Sequence, residues 1–474
     1  MSDIRYVCLS DLHLGEEDSL LTNLQTASTK TDPSKPSPVM KALVACLESL
    51  ISKNEHQEKK PTLILNGDIL ELALTTTNQA AMVFERLIEL ILPQDGKLFE
   101  RIIYIPGNHD HHLWEVARET QYVDYLETVD PGEHLNIPWH ATNLFDPAPV
   151  TAYLLTRLVR RFEHLKDMVI TTAYPNYGLL GAEGRKCVLF HHGHFIESIY
   201  QVMSTLKTLI FPDREMPTQV WDIEAENFAW IDFFWSTMGR SGEVGQDVEL
   251  IYEKMQDPEQ FKKLLSNLAT SLAEKYDLPG WGDRMEAKLL SWVLNAVVDR
   301  MAGLERPQTA KELSGDAETG LRAYMQCPLR EQILIENDRN MPADVTFVLG
   351  HTHKPFQKDM NFKGYPQSVN VYNTGGWVVD TVDRRSLHGG AVILMDEDLN
   401  ATSLRMYNES DNPAEYSVGV EQATHAGEEE NPLHHQILGL VKRDKEPWET
   451  FSETVARAVR IRAQNLRARI NTRS

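Results

Sequence analysis

Arg101-Ile102-Ile103-Tyr104-Ile105-Pro106-Gly107-Asn108-His109-Asp110 is the stretch on which the reading of this chain turns. An apolar, β-branched run ends in Pro-Gly and then presents Asn, His and Asp in succession. The run predicts a buried strand, and the polar residues fall on the loop at its carboxyl end. Ligand sites of open α/β sheets gather outside the carboxyl ends of strands, so this tip is a candidate site. Its weight depends on what the other strand ends supply.

Working outward, Ile4 to Leu9 predict a first strand that ends in Ser10-Asp11-Leu12-His13. Pro61 to Asn66 predict a second, ending in Gly67-Asp68-Ile69-Leu70-Glu71. Between these strands lie helix-period faces, one built on Val39, Leu43, Leu47 and Leu50 and one on Val83, Leu87 and Ile91. Strand and helix alternate, which is the pattern of a layered α/β domain. His111 to about Met168 reads as largely helical, with breaks at Asp130-Pro131-Gly132 and Asp146-Pro147. A hairpin follows, with Val169 to Leu180 pairing with Lys186 to Phe190, and it ends in His191-His192-Gly193-His194. Val345 to Leu349 predict a further strand that ends in Gly350-His351-Thr352-His353, and strands are also expected over Val369–Asp380, Gly390–Met395 and Thr402–Met406.

The domain plan is a core of residues 1–194 and 342–411, interrupted by a helical insertion over 195–341. The insertion carries helical faces at Phe261–Leu272 and Leu289–Met301, and an aromatic group of Trp221, Phe228, Trp230, Phe233, Phe234, Trp235, Trp281 and Trp292. Residues 412–474 form an acidic linker, over about Asn412 to Asn431, and a basic C-terminal helix with Val455, Val459, Leu466 and Ile470 on its apolar side.

Composition sets outer limits. The 474 residues are 42% hydrophobic and 24% charged, as in a globular protein with a large core. Against 47 basic residues stand 69 acidic ones, and the net charge of −22 disfavours nonspecific binding to nucleic acid. Cys8, Cys46, Cys187 and Cys327 lie far apart, which speaks for a reducing compartment and a cytoplasmic protein rather than a disulfide framework. Neither a signal peptide nor an apolar run of membrane-spanning length is visible.

Five strand ends therefore deliver Asp11/His13, Asp68, Asn108/His109, the His191–His194 group and His351/His353. Any one of them alone is an ordinary turn. Five along one sheet edge, in a chain of 17 histidines, are not. Carboxylate and imidazole together suit Mn, Fe, Zn or Co better than Mg or Ca. The set is too large for one tetrahedral zinc and fits two divalent metals, which an aspartate can bridge by offering one oxygen to each. In the fourth loop His191, His192 and His194 all compete, although alternation along the strand puts His191 on the opposite face.

Asp11-Leu12-His13, Gly67-Asp68, Gly107-Asn108-His109-Asp110, His192-Gly193-His194 and Gly350-His351-Thr352-His353 resemble the five ordered motifs of the calcineurin-like metallophosphoesterases. The resemblance spans residues 4 to about 410, apart from the insertion. It implies a layered β-sandwich flanked by helices and a binuclear centre, with manganese as first choice and iron, zinc or cobalt as alternatives. Carried over, Asp11, His13 and His353 bind the first metal, Asp68 bridges, and Asn108, His192 and His351 bind the second. His192 is chosen because its place in the motif is that of the family's ligand. A hydroxide held between the metals would attack phosphorus in line. His109 would stand outside the metals, stabilising phosphoryl oxygens or protonating the leaving group, with Asp110 orienting it.

Within the superfamily, Ser10–Leu14 and Gly67–Glu71 are closest in style to UDP-2,3-diacylglucosamine pyrophosphohydrolases, which also carry a helical lid between the fourth and fifth motifs. Asn108-His109 stands where that branch has Asn-Arg, and the insertion here is far longer. The expected substrate is a phosphodiester or pyrophosphate in a nucleotide-linked or lipid-like small molecule. A nuclease and a non-catalytic metal-binding scaffold are the alternatives. For the basic tail, the choices are pairing with the acidic body, an oligomer contact, or peripheral contact with an anionic membrane.

Overall fold

The structure is a computed structural model that describes residues 2–25, 30–211, 213–237, 311–423 and 431–473. The helical faces expected over Phe261–Leu272 and Leu289–Met301, with Trp281 and Trp292, lie outside the described residues. Two mixed sheets stack face to face with helices on both outer sides. In the first sheet β1 (Tyr6–Leu9), β2 (Thr62–Asn66), β3 (Arg101–Ile105) and β5 (Thr171–Thr172) run parallel, with β4 (Val150–Thr151) antiparallel at the edge. On its other side β11 (Gly389–Met395), β12 (Ala401–Asn408) and β13 (Gly419–Glu421) extend it antiparallel. The second sheet is ordered β6 (Asn176–Leu180), β7 (Lys186–His191), β8 (Asp344–Leu349), β10 (Val369–Asn373) and β9 (Phe356–Met360), with β7, β8 and β10 parallel.

Strand alternation sorts side chains into three cores. On β1, β2 and β3, Cys8, Ile64 and Ile103 point inward and meet Val188, Phe190, Val348 and Tyr372 of the second sheet. Their neighbours Val7, Leu9, Leu63, Leu65, Ile102 and Tyr104 point outward. There they are covered by α1 (Pro38–Ile51), α2 (Thr77–Ile91), α4 (Tyr153–Val159) and the C-terminal pair α9 (Pro432–Arg443) and α10 (Trp448–Arg473). On the second sheet Cys187, Leu189, Phe347, Leu349 and Val371 face the described parts of the insertion. Those are α5 (Val202–Ile210), α6 (Val220–Ile231), α7 (Gly315–Tyr324) and α8 (Arg330–Glu336). Each fully buried aliphatic or aromatic side chain contributes about 1.5–3 kcal/mol, so this double-sided burial is what holds near-continuous apolar strands as parallel sheet.

Local signals account for the helix starts. Ser37 caps α1 by accepting the Met40 N–H at 3.0 Å, and Pro38 sits in the first turn where no donor is needed. The basic tail lies on the body. Phe451, Val455 and Val459 of α10 are buried in the outer core, the Arg462 guanidinium donates to the carbonyl oxygens of Ser19 (3.1 Å) and Thr22 (2.5 Å), and Arg469 pairs with Glu17 and Asp18. Arg457, Arg460 and Arg467 face outward. None of the described helices is long and apolar enough to cross a membrane, and the four cysteines are free thiols.

Several expected elements differ. The helix expected from His111 to Met168 is two helices, α3 (His112–Leu126) and α4, separated by irregular chain and β4. That interval is rich in polar residues with no unbroken apolar period, and its Asp-Pro-Gly and Asp-Pro breaks end helix rather than kink it. The strand expected over Val169–Leu180 splits at Tyr174-Pro175 into β5 and β6, which belong to different sheets. Val369–Asp380 is strand only to Asn373, because the following Thr-Gly-Gly run turns the chain back across the sheet end. β9 escaped the reading because its two central residues are charged and exposed, as edge strands often are. The expected linker contains β13, a three-residue edge strand too short to leave a periodic signal.

Candidate metal centre

The carboxyl ends of β1, β2, β3, β7 and β8 meet at one end of the sandwich. The loops are bound to one another by backbone: Asp11 N–H donates to Gly67 O at 2.9 Å, His13 N–H to Asp68 O at 2.9 Å, and Gly350 N–H to His192 O at 2.7 Å. The Asn66 side chain crosses between the sheets to the His191 carbonyl at 3.1 Å. Asp11 (φ 52°), His13 (43°), Asp68 (51°), His351 (68°) and His353 (55°) all adopt the left-handed backbone conformation that L-residues disfavour. Strain of about 1–3 kcal/mol per residue persists only where the surroundings over-determine it, and here it falls on the candidate ligands.

Close approach also explains two glycines. A Cβ on Gly107 would stand 2.5 Å from the Asp68 backbone nitrogen and would run into the Asp68 carboxylate. One on Gly67 would strike the His192 ring. Gly107→Ala is therefore expected to dislodge Asp68 and His192 together. Metal analysis of the purified variant should show loss of bound metal, with the overall fold retained by circular dichroism.

The candidate ligands form two adjoining groups. Asp11, His13 and His353 make one, and Asp68, His192 and His351 the other, with the ligand atoms of each group within 4.8 Å of one another. Asp68 stands between them: its Oδ2 lies 3.6 Å from His13 Nε2 and 3.1 Å from His192 Nε2. Its other oxygen, Oδ1, accepts the His109 backbone N–H at 2.7 Å, which fixes the carboxylate with Oδ2 between His13 and His192. Asn108 Oδ1 lies 3.1 Å from His192 Nε2, and His353 Nε2 is 3.3 Å from Asp11 Oδ1. All seven residues are at most 1% exposed.

The donor set fits divalent cations, as the histidines show. Each gives its other nitrogen to an anchoring oxygen: His13 Nδ1 to Glu71 (2.7 Å), His353 Nδ1 to Asp380 (2.5 Å), His351 Nε2 to Glu197 (2.6 Å) and His192 Nδ1 to the Asn66 carbonyl (3.1 Å). An outer oxygen that fixes tautomer and ring direction is the regular companion of a metal-binding imidazole. Electrostatics agree. Burial works against the charge on Asp68 and Asp11, yet the His192 imidazole and its neighbours outweigh it and hold both carboxyls below the usual range. Burial likewise opposes a charge on His192, but Asp68 and Asp11 push it up to about 9. A field that draws a proton this strongly would draw a divalent cation in its place.

The same field separates the three competing histidines. His191 and His194 are held well below the usual histidine range, first by burial and then by neighbouring imidazoles. His191 packs on Tyr324 and Phe195, facing the second sheet's outer core. His194 is 3.2 Å from the Tyr174 hydroxyl. His192 alone of the three stands among the carboxylates.

His109 is 1% exposed, with its ring edge-on to His13 at 4.7 Å. Its Nδ1 is 2.8 Å from Glu71 Oε2, so one buried carboxylate holds both His13 and His109. The role expected for Asp110 is corrected here. Its carboxylate turns away from the His109 ring and accepts the N–H groups of Gly107 (2.7 Å), Ile69 (2.7 Å), Leu70 (3.2 Å) and Asp68 (3.3 Å). Asp110 thus ties the β2 and β3 loops together. Glu71, Glu197 and Asp380 are further functional candidates, brought to the site only by the fold. Their signal was an acid inside an apolar run, as in Ile69-Leu70-Glu71-Leu72 and Phe195-Ile196-Glu197-Ser198-Ile199.

His111 is fully buried, and its Nε2 is 2.8 Å from Glu224 on α6. The Tyr174 hydroxyl donates to the other Glu224 oxygen at 3.0 Å, and His112 N–H donates to the Ser236 hydroxyl at 2.9 Å. These contacts dock the start of the insertion onto the β3 loop. Burial opposes the His111 charge, but Glu224 and then Asp232 raise its pKa from 6.5 to about 10. A raised folded pKa gives stability that is complete below about pH 6.5 and lost as pH climbs through about 10. Urea midpoints should fall between pH 7 and 10.5, and fall less steeply in Glu224→Gln.

Residues 4–223 match the sequence profile of the family described as calcineurin-like phosphoesterase. No curated protein matches the chain significantly. Among solved structures the chain is similar to a dimetal phosphatase from Danio rerio, at 10% identity over 90% of this chain and 100% of that one, with a TM-score of 0.30. A superposition of that quality transfers neither fold nor activity. The profile match and the two buried groups of metal-ligating side chains support a phosphoric ester hydrolase.

Proposed function

We propose that this chain is a dimetal phosphoesterase that hydrolyses a phosphodiester or pyrophosphate bond in a small molecule. The observation that carries the reading is the pair of buried ligand groups sharing Asp68, with every histidine anchored from behind. Asp11, His13, Asp68 and His353 would hold one cation and Asp68, Asn108, His192 and His351 the other, with manganese proposed first. When bound, such a pair lowers the pKa of water and neutralises charge on phosphoryl oxygens.

The chain's own groups supply the rest. Glu71 holds Nδ1 of His109, which assigns Nε2 to proton traffic with the leaving-group oxygen. Asp110 keeps the β2 and β3 loops in register, so His109 and Asp68 keep a constant separation. Tyr200 of the insertion packs edge-on against His351, and Trp235 packs behind Tyr200, so aromatic rings back one side of the group. An aromatic wall suits a base, a ring or an acyl chain on the substrate. The net charge of −22 favours a small substrate over DNA or RNA.

The test is purified full-length protein loaded with Mn²⁺, assayed on bis-p-nitrophenyl phosphate, UDP-sugar pyrophosphates, cyclic nucleotides and single-stranded DNA. Turnover of a small diester or pyrophosphate is expected. Turnover of the DNA alone would replace this reading with a nuclease. Two bound metals with no turnover of any substrate would replace it with a scaffold.

A further inference from the structure

Metal-histidine anchors are not equal. His192 leans on a backbone carbonyl, whereas His13, His353 and His351 lean on carboxylates. Two of those carboxylates belong to the core, Glu71 beside β2 and Asp380 after β10. The third, Glu197, belongs to the insertion. It sits between the short 3-10 turns His194–Ile196 and Ser198–Gln201, in extended backbone (φ −99°, ψ 133°), and is 7% exposed.

The surroundings leave Glu197 little freedom. Phe195 and Ile196 before it, and Ile199 and Tyr200 after it, are buried in the core under the insertion. Tyr200 sets its ring edge-on to His351 at 5.2 Å. At Gly193 an added Cβ would come 2.9 Å from the His351 Cβ, so the turn is already pressed against that residue. From the far end of the insertion, Gly320 of α7 lies so close to the Ile196 carbonyl that a Cβ there would collide with it. Both ends of the insertion thus converge on the turn that aims Glu197 at His351.

Charge gives this contact a purpose. Of the proposed ligands, the first group has two carboxylates, Asp11 and the shared Asp68, while the second has Asp68 and the neutral amide of Asn108. A carboxylate behind an imidazole strengthens it as a donor and fixes its direction. We infer that Glu197 is a positioning residue for the second cation, through which the insertion sets that cation's affinity. The inference rests on the dimetal reading above.

The test titrates metal-free full-length protein with Mn²⁺ and follows occupancy by elemental analysis and electron paramagnetic resonance. Wild type should take two ions and show a spin-coupled pair. Glu197→Gln should bind the first ion as wild type does and the second about 10–100-fold more weakly, the usual cost of losing such a partner. At two equivalents of metal it should show the six-line signal of isolated Mn²⁺. Glu197→Asp should restore part of the loss. If Glu197→Gln binds both ions like wild type, the inference fails and the dimetal reading stands. If wild type itself takes fewer than two ions, the dimetal reading fails first. Equal weakening of both ions, with a lower melting temperature of the metal-free variant, would make Glu197 merely structural and overturn the proposal.

Discussion

Replacing Asp68 by alanine is expected to abolish turnover and to lower metal content below one ion per chain. Asp68 faces both groups: its Oδ2 stands 3.6 Å from His13 and 3.1 Å from His192. The other oxygen holds the His109 backbone, so one substitution loosens both cations and the proton-transfer residue together. Metal catalysis supplies several kcal/mol of barrier lowering, and at 1.36 kcal/mol per decade the loss should reach about 10⁴-fold or more. A second readout separates this from unfolding. Metal added to wild type should raise its melting temperature, by about 2.7 kcal/mol of stabilisation at a hundredfold excess over Kd, and this shift should vanish in Asp68→Ala. Two ions per chain with normal turnover in that variant would remove Asp68 from the centre of the site.

The layered fold was legible because β1, β2, β3, β7 and β8 are apolar on both faces, as strands covered on two sides must be. The candidate ligands were legible for a related reason: Asp and His at the ends of such strands break the apolar pattern at the sheet edge. What stayed hidden has no periodic signature. Glu71, Glu197 and Asp380 act through side chains on turns, where the partner histidine lies 58, 154 and 27 residues away. Asp110 misled because it is adjacent to His109 in the chain. The backbone there turns its carboxylate onto three N–H groups of the β2 loop and one of its own, and the ring beside it finds Glu71 instead. The two-residue strands β4 and β5 are set by pairing with β3 and with each other rather than by their own residues.

His109 and Glu71 should separate chemistry from metal binding. His109→Ala is expected to keep two ions and lose about 10²–10⁴-fold in kcat, the usual range for a positioned acid or base. Retention of full rate would sink the role. Glu71 touches two histidines with different duties, so Glu71→Gln should do two things at once. It should lower kcat by releasing His109, and weaken the first cation by about 10–100-fold by releasing His13. The double variant then decides the matter. If Glu71 acts on the rate only through His109, adding Glu71→Gln to His109→Ala costs nothing further in kcat at saturating metal. Its cost in metal affinity should remain in full, since His13 is untouched by the first substitution. Additive losses in kcat would mean that Glu71 reaches the reacting atoms by a route other than His109, and the geometry offers His13 as that route.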